Sequence, residues 1–276
     1  MRKSLHLGVL GAVLAAVAAL LAVAPAGAAA RWRPAPTTDA WQWELQGKFE
    51  LTPGASVYEI DGFEYPARDV AAIHRSGAKA ICYLDVGSWE EYRPDASRFP
   101  KSVLGRRYEG YPEERWLDIA HYRKFAPIIE RRIAMCARKG FDAVEPDNVD
   151  GWENKTGFPL TRADQLRYDR WIARQVHRRG MSVALKNDSR QVRQLVGSFD
   201  FAVVEECFQY EECGRFEPFV EAGKAVFEAE YELPTSKFCA AAEALDFAAI
   251  RKNVELFPRP WEPCHRAPPA AARLRH

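Results

Sequence analysis

The chain has 276 residues, 28% of them Asp, Glu, Lys or Arg, and a formal net charge of +1. That length is one domain's worth of α/β barrel and is ample for a large core. Residues 1–30 carry Arg2 and Lys3 and no acid, so the remainder has a charge of −1, which excludes a nucleic-acid binder by bulk charge.

Residues 1–30 read as a secretory signal peptide. Arg2 and Lys3 open it, Leu5 to Val23 is apolar, and the small residues Ala26 to Ala30 suit a signal peptidase. The apolar run is also long enough for an uncleaved anchor; Pro25 and the small-residue end favour cleavage. No later segment is apolar enough to span a membrane. The mature chain is therefore expected to be secreted or cell-envelope associated, off the membrane and monomeric. Residues 31–39, rich in Pro, Ala and Thr, form a linker into a domain over 40–264, and the tail 265–276 is expected to be disordered.

Within the domain, strands and helices alternate. Trp41 to Leu45 is a short aromatic strand and Ser56 to Ile60 a second, ending at Asp61. Arg68 to Ser76 is helical and stops at Gly77. Lys79 to Val86 is a strand ending at Asp85 and Gly87, and Arg115 to Ile119 a short one with Asp118 at its end. Arg123 to Arg138 has helical periodicity, and Gly140 stops it. GFDAVEPDNVDGW (Gly140 to Trp152) then begins as a buried strand and ends in Glu145, Asp147, Asn148 and Asp150. Thr161 to Arg179 is a helix with Thr161 and Asp164 as its start and Gly180 as its stop. Ser182 to Leu185 is a strand ending in Lys186, Asn187 and Asp188, and Gln191 to Val196 is helical. Asp200 to Val204 is a strand ending in Glu205 and Glu206. A short helix over Pro218 to Ala222 leads to the last strand, Lys224 to Ala229, with Glu230 and Tyr231 at its end. Eight strands with polar ends predict a single-domain (β/α)₈ TIM barrel. A doubly wound sheet is the runner-up, but no Gly-rich phosphate loop follows the first strand.

Six cysteines in an exported chain read as disulfides before metal ligands. The preferred pairing is Cys207 with Cys213 across a short loop, Cys239 with Cys264 in the last third, and Cys82 with Cys136. No Cys-x-x-Cys and no His pair at zinc spacing occurs, and Val149 breaks the register of a calcium loop around Asp147. Neither a metal nor a cofactor is expected.

In a barrel the polar strand ends meet at one mouth. It gathers Asp61, Asp85, Asp118, Asp147, Asn148, Asp150, Lys186, Asn187, Glu205, Glu206 and Glu230, with Trp41, Trp43, Tyr83, Trp152, Tyr210 and Tyr231 beside them. Aromatic walls and carboxylates suit a sugar, and an excess of carboxylates suits a cationic one. Glycoside cleavage needs two carboxylates flanking the bond. Lys186 could lower one neighbour's pKa while crowding raises another's. The bland alternatives are an Asp-rich turn at 147–150, a helix-capping Asp118, a solvated helix start at Trp89, Glu90 and Glu91, and loop charges at Arg106 and Arg107.

The stretches WQWELQG, ICYLDVGSWEEYRPD, ERWLDI, GFDAVEPDNVDGW, GFPLT, ALKND, FDFAVVEECFQYEEC and KAVFEAEY, in order from Trp41 to Tyr231, resemble glycoside hydrolase family 114. The resemblance implies a secreted or surface-attached endo-α-1,4-polygalactosaminidase on a (β/α)₈ barrel, acting on a polycationic polysaccharide. It also implies a catalytic pair of Asp147 in E-P-D-N and Glu205 in E-x-C, with Asp147 as nucleophile or charge stabiliser and Glu205 as general acid. The expected substrate-binding residues are Trp43, Asp61, Tyr83, Asp85, Asp118, Asn148, Asp150, Lys186, Asn187, Glu230 and Tyr231. Glu206 stands where a neutral Gln is common in the family. Side-chain alternation lets only one of the two adjacent Glu residues face the substrate.

Overall fold

A computed structural model describes residues 31–36 and 40–264. The expected signal peptide, linker residues 37–39 and the tail from 265 lie outside the described residues. The strands are β1 Trp41–Glu44, β2 Val57–Asp61, β3 Lys79–Asp85, β4 Ser88–Glu90, β5 Leu104–Tyr108, β6 Tyr111–Leu117, β7 Ala143–Asp147, β8 Ser182–Lys186, β9 Phe201–Glu205, β10 Val226–Glu230, β11 Ala248–Arg251 and β12 Glu262–Pro263. The helices are α1 Ala67–Arg75, α2 Ala126–Lys139, α3 Arg162–His177, α4 Val192–Leu195, α5 Glu217–Glu221 and α6 Thr235–Ala244.

One sheet runs β1-β2-β3-β7-β8-β9-β10-β11-β12, parallel throughout except for the last pair. It is the TIM barrel the alternation predicts. Among the described residues no ladder joins β11 to β1. That seam is closed by Leu45 N–H on Leu256 O (2.9 Å), Trp261 Nε1 on Trp41 O (2.7 Å) and Lys252 Nζ on Gln42 Oε1 (2.9 Å).

The eighth barrel strand is not Arg115 to Ile119. Those residues belong to or follow β6, which pairs antiparallel with β4 and β5 in a separate small sheet. The chain turns back at Gly110, where φ is +85°, and so pairs the segment with β5 in a hairpin outside the barrel. The eighth place goes to β11. Trp89, Glu90 and Glu91 are likewise no helix start. Glu90 lies in β4 and is buried, held by Arg93 Nε (2.7 Å) and Arg132 Nη1 (3.2 Å), so its charge is answered inside the protein.

Alternation along each strand divides the core in two. Val57, Ile81, Ala143, Ala184, Phe201, Val203, Phe227 and Ala229 fill the barrel. Tyr58, Ile60, Cys82, Leu84, Val144, Val183 and Leu185 face outward onto Val70, Ile73, Ile129, Ile133, Ile172 and Val176 of the helices. Each such large apolar side chain contributes about 1.5–3 kcal/mol. The helix ends follow their local signals: Thr161 and Asp164 form a reciprocal capping box on α3, and Gly140 ends α2 in the left-handed region at φ 92°. The three disulfides pair as the sequence favours: Cys82–Cys136 ties β3 to α2, Cys207–Cys213 closes the loop after β9, and Cys239–Cys264 ties α6 to the end of the domain. Residues 31–36 lie against the amino-terminal end of the barrel, with Trp32 on Phe201 and Arg33 Nε on Asp200 (3.1 Å). No helix among the described residues is long and apolar enough to cross a membrane.

Candidate active site

The inward positions of β7, β8 and β9 end in Asp147, Lys186 and Glu205 because each lies an even number of residues from a core residue of its own strand: Ala143, Ala184 and Phe201. Lys186 Nζ stands 3.0 Å from Asp147 Oδ1 and 3.0 Å from Glu205 Oε2, above the Trp43 ring at 5.0 Å from its centroid. Tyr83 OH donates to Asp147 Oδ2 (2.9 Å), and the Asn148 N–H to Oδ1 (2.8 Å). Tyr231 OH donates to Glu205 Oε1, and Asn187 Nδ2 donates to Oε2 at 3.3 Å. Each carboxylate is thus oriented by three donors, one of them shared.

Burial disfavours the Lys186 ammonium, but Asp147, Glu145 and Glu205 outweigh it and hold its pKa well above the usual lysine value. Tyr83 and Tyr231 are pushed up by burial and then by the carboxylates they face, so both stay phenols and donors. Burial, and then Asp147, raise the Asp150 carboxyl to about 6.

These groups sit in a cleft of about 1140 Å³. Of the residues expected from sequence, Trp43, Asp61, Tyr83, Asp147, Asn148, Asp150, Lys186, Asn187 and Glu205 line it. Asp61 is already engaged by both terminal nitrogens of Arg93 (2.6 and 3.1 Å) and by the Phe63 and Glu64 N–H groups. Tyr231 stands behind Glu205 and reaches the site through it. Asp85 lies below the surface, where it accepts from Asn148 Nδ2 (2.7 Å) and Ser88 N (2.7 Å) and so positions the loop after β7. Its oxygens and those of Glu90 and Glu114 approach within 4.8 Å of one another, and Ser88, Tyr92, Arg93 and Arg132 bond to the group.

Two expected binders lie elsewhere. Glu230 falls on the outward face of β10 and accepts from the Phe208 and Gln209 N–H groups, because its strand points Phe227 and Ala229 inward. Asp118 follows β6 rather than a barrel strand; it pairs with His121 (2.8 Å) away from the cleft. Trp41 is buried within the barrel, Trp152 donates to Asp188, and Tyr210 stands exposed; none of the three lines the cleft. Glu206 turns out of the strand at φ 52°, leaving Glu205 as the one that faces the cleft.

The sequence profile of the glycoside-hydrolase family GH114 matches residues 22–267. The chain belongs to family GH114. It is a glycoside hydrolase. Among solved structures it is similar to Aspergillus fumigatus Ega3, determined in complex with galactosamine, at 34% identity over 83% of this chain and 96% of that one, with a TM-score of 0.78. The glycoside hydrolase domain of PelA from Pseudomonas aeruginosa shares 15% identity over 80% of this chain and 96% of that one, TM-score 0.62. An α-galactosidase from Thermus thermophilus shares 11% over 80% and 59%, TM-score 0.51. At those two identities the likeness is one of fold. No curated protein matches the chain.

Parts of this GH114 cleft are not expected from the strand ends. The excursion between β3 and β7 supplies Tyr92, Arg93, Tyr108, Tyr111 and Glu114 to its lining, and the loop after β11 supplies Val254 to Phe257. No strand-end pattern points to them. Below the floor lie Glu59 and Glu145, both fully buried. Glu59 had a signal: it is two residues before Asp61 and two after Val57, so it shares their face.

Proposed function

We propose that this GH114 enzyme is secreted and cleaves α-1,4-linked, partly deacetylated galactosamine polymers internally, by double displacement. The observation that carries the reading is that the Asp147 and Glu205 carboxyl groups converge on one ammonium in an open cleft. Two contacts of 3.0 Å cap the separation of those oxygens at 6.0 Å. That upper bound favours the roughly 5–5.5 Å spacing of retaining pairs over the about 6.5–9.5 Å that admits a water for inversion. In the first step an Asp147 oxygen bonds to the anomeric carbon as the glycosidic C–O bond breaks, and Glu205 gives its proton to the leaving oxygen. In the second, water attacks that carbon, Glu205 takes the water's proton and Asp147 is released. A cleft of about 1140 Å³ has room for more than one sugar residue, which favours a chain over a single sugar. Galactosamine bound to Ega3, similar over most of this chain, supports the sugar, and the carboxylate excess supports its charge.

The test is reducing-end release from deacetylated α-1,4-galactosamine polymer, with the first-formed anomer followed by proton NMR. Wild type should release short oligosaccharides with the α-anomer first. D147N and E205Q should each lose about 10³-fold or more in kcat. No release by wild type with binding intact would replace hydrolysis by glycan binding or by another glycan. A β-anomer first would overturn double displacement.

A further inference from the structure

Beneath the proposed catalytic pair the barrel holds two carboxyls that the chemistry above leaves without work. Glu59 on β2 and Glu145 on β7 point inward one step below Asp61 and Asp147, and both are 0% exposed. Neither oxygen of Glu59 accepts a hydrogen bond from any N–H or O–H of the described residues. The two carboxyls face each other within hydrogen-bonding reach. Only Glu145 meets a cation: its Oε1 lies 3.2 Å from Lys186 Nζ. Other charged groups facing the pair are Asp147 from the same strand as Glu145, and Glu205 from β9. Two ionised carboxylates side by side in an apolar interior repel strongly, whereas one proton between them turns repulsion into a charge-assisted hydrogen bond. The contact with Lys186 decides which of the two keeps the charge.

We propose that Glu59 and Glu145 form a one-proton positioning pair: neutral Glu59 donates to ionised Glu145, and Glu145 anchors the Lys186 ammonium where it touches both Asp147 and Glu205. Burial and then Glu145 hold the Glu59 carboxyl well above the usual range, in keeping with a retained proton. Neither residue reaches the sugar; both act through Lys186. With Glu145 charged and Glu205 holding the proton it gives in the first step, Glu145 and Asp147 still outnumber the one ammonium. The floor keeps an uncompensated negative charge that a cationic sugar can answer. The inference rests on the reading of Asp147 and Glu205 as the catalytic pair, but its proton can be observed without turnover.

The experiment compares wild type, E145Q and E59Q by infrared difference spectroscopy at neutral pH and by pH profiles of kcat on the galactosamine polymer. Wild type minus E59Q should show the C=O stretch of a protonated carboxyl. E145Q should lose about tenfold or more in kcat with KM within about threefold, and both limbs of its pH profile should move to lower pH, because an anion beside Asp147 and Glu205 is gone. E59Q, which keeps a donor toward Glu145, should leave both limbs in place. A missing infrared band, or E59Q limbs that shift as those of E145Q do, would show that Glu59 is ionised and overturn the pair. Unmoved limbs in E145Q would overturn its link to Lys186. If E145Q fails to fold, the wild-type and E59Q comparison still decides. If wild type releases no reducing ends, the functional reading fails, while the band still reports the proton.

Discussion

Asp150 shows how one side chain can set a pH dependence for the whole molecule. Its carboxyl ionises at about 6 in the folded chain against an ordinary 3.8, because burial and then Asp147 oppose the charge. A raised folded-state value means that the native state binds the proton more tightly than the unfolded one. The penalty is absent below about pH 4, grows as pH rises, and is complete above about pH 6. D150N, which cannot ionise, should therefore melt at a higher temperature than wild type at pH 7. The gap should narrow between about pH 6 and pH 4 and close below that. Thermal melts across pH check this, and a lower melting point for D150N at pH 7 would mean that the ionised carboxylate is paired. Glu205 was legible at a strand end because it directly follows an apolar run, and Asp147 because it lies in the burst of polar residues that ends one; only the family resemblance singled the two out from the other acids. Glu59 was not read because it lies inside its run, where a single acid looks like noise unless the strand's phase is fixed by its neighbours. Glu230 failed the opposite way: it ends a strand, but on the wrong side of the pleat.

At the scale of elements, the site depends on how closely two loops meet. A Cβ at Gly87, just after β3, would come within 1.6 Å of the Asn148 carbonyl oxygen, so only glycine allows the loops after β3 and β7 to touch there. Asn148 itself sits at φ 61° and donates to Asp85. G87A should push the loop after β7 away and move Asp147 with it. Activity should fall about 100-fold or more, as misplacements near 1 Å do. Near-normal kcat in G87A, with an unchanged melting point, would show that the loops can part without harm. Gly87 was read from sequence only as a strand stop, since the oxygen it must accommodate lies some sixty residues further on. The strand read over Arg115 to Ile119 was misassigned to the barrel for a related reason. Local pattern gives a strand, but only the partner gives its sheet, and β6 pairs with β4 and β5 rather than with a barrel strand.

The whole molecule has nearly balanced charge, yet distributes it unevenly. Glu64, Glu113, Glu114, Glu255, Asp150 and Glu205 all border the cleft. Attraction of a polycation to this cleft should be screened by salt, because Glu64, Glu113 and Glu255 are exposed and charges acting through solvent are largely screened beyond a Debye length of about 8–10 Å. KM for the galactosamine polymer should rise several-fold between about 0.05 and 0.5 M salt, with kcat within about twofold, whereas a fully acetylated polymer should show little change. Equal salt responses for the two polymers would argue against charge recognition. The barrel itself was legible because its rhythm of strand, polar end and helix repeats along the chain. The seam between first and last strands was not, because closure depends on where β11 ends up in space rather than on any pattern within it. That seam has a further consequence. It is fastened like a clasp, by Lys252 and the 253–258 loop, rather than welded by a ladder. The same loop is one bank of the cleft. One bank of the cleft is therefore lodged at the joint that no ladder closes, while Asp147, Lys186 and Glu205 stand on strands that ladders hold, so loosening the clasp should shift that bank and leave the rest of the hoop standing.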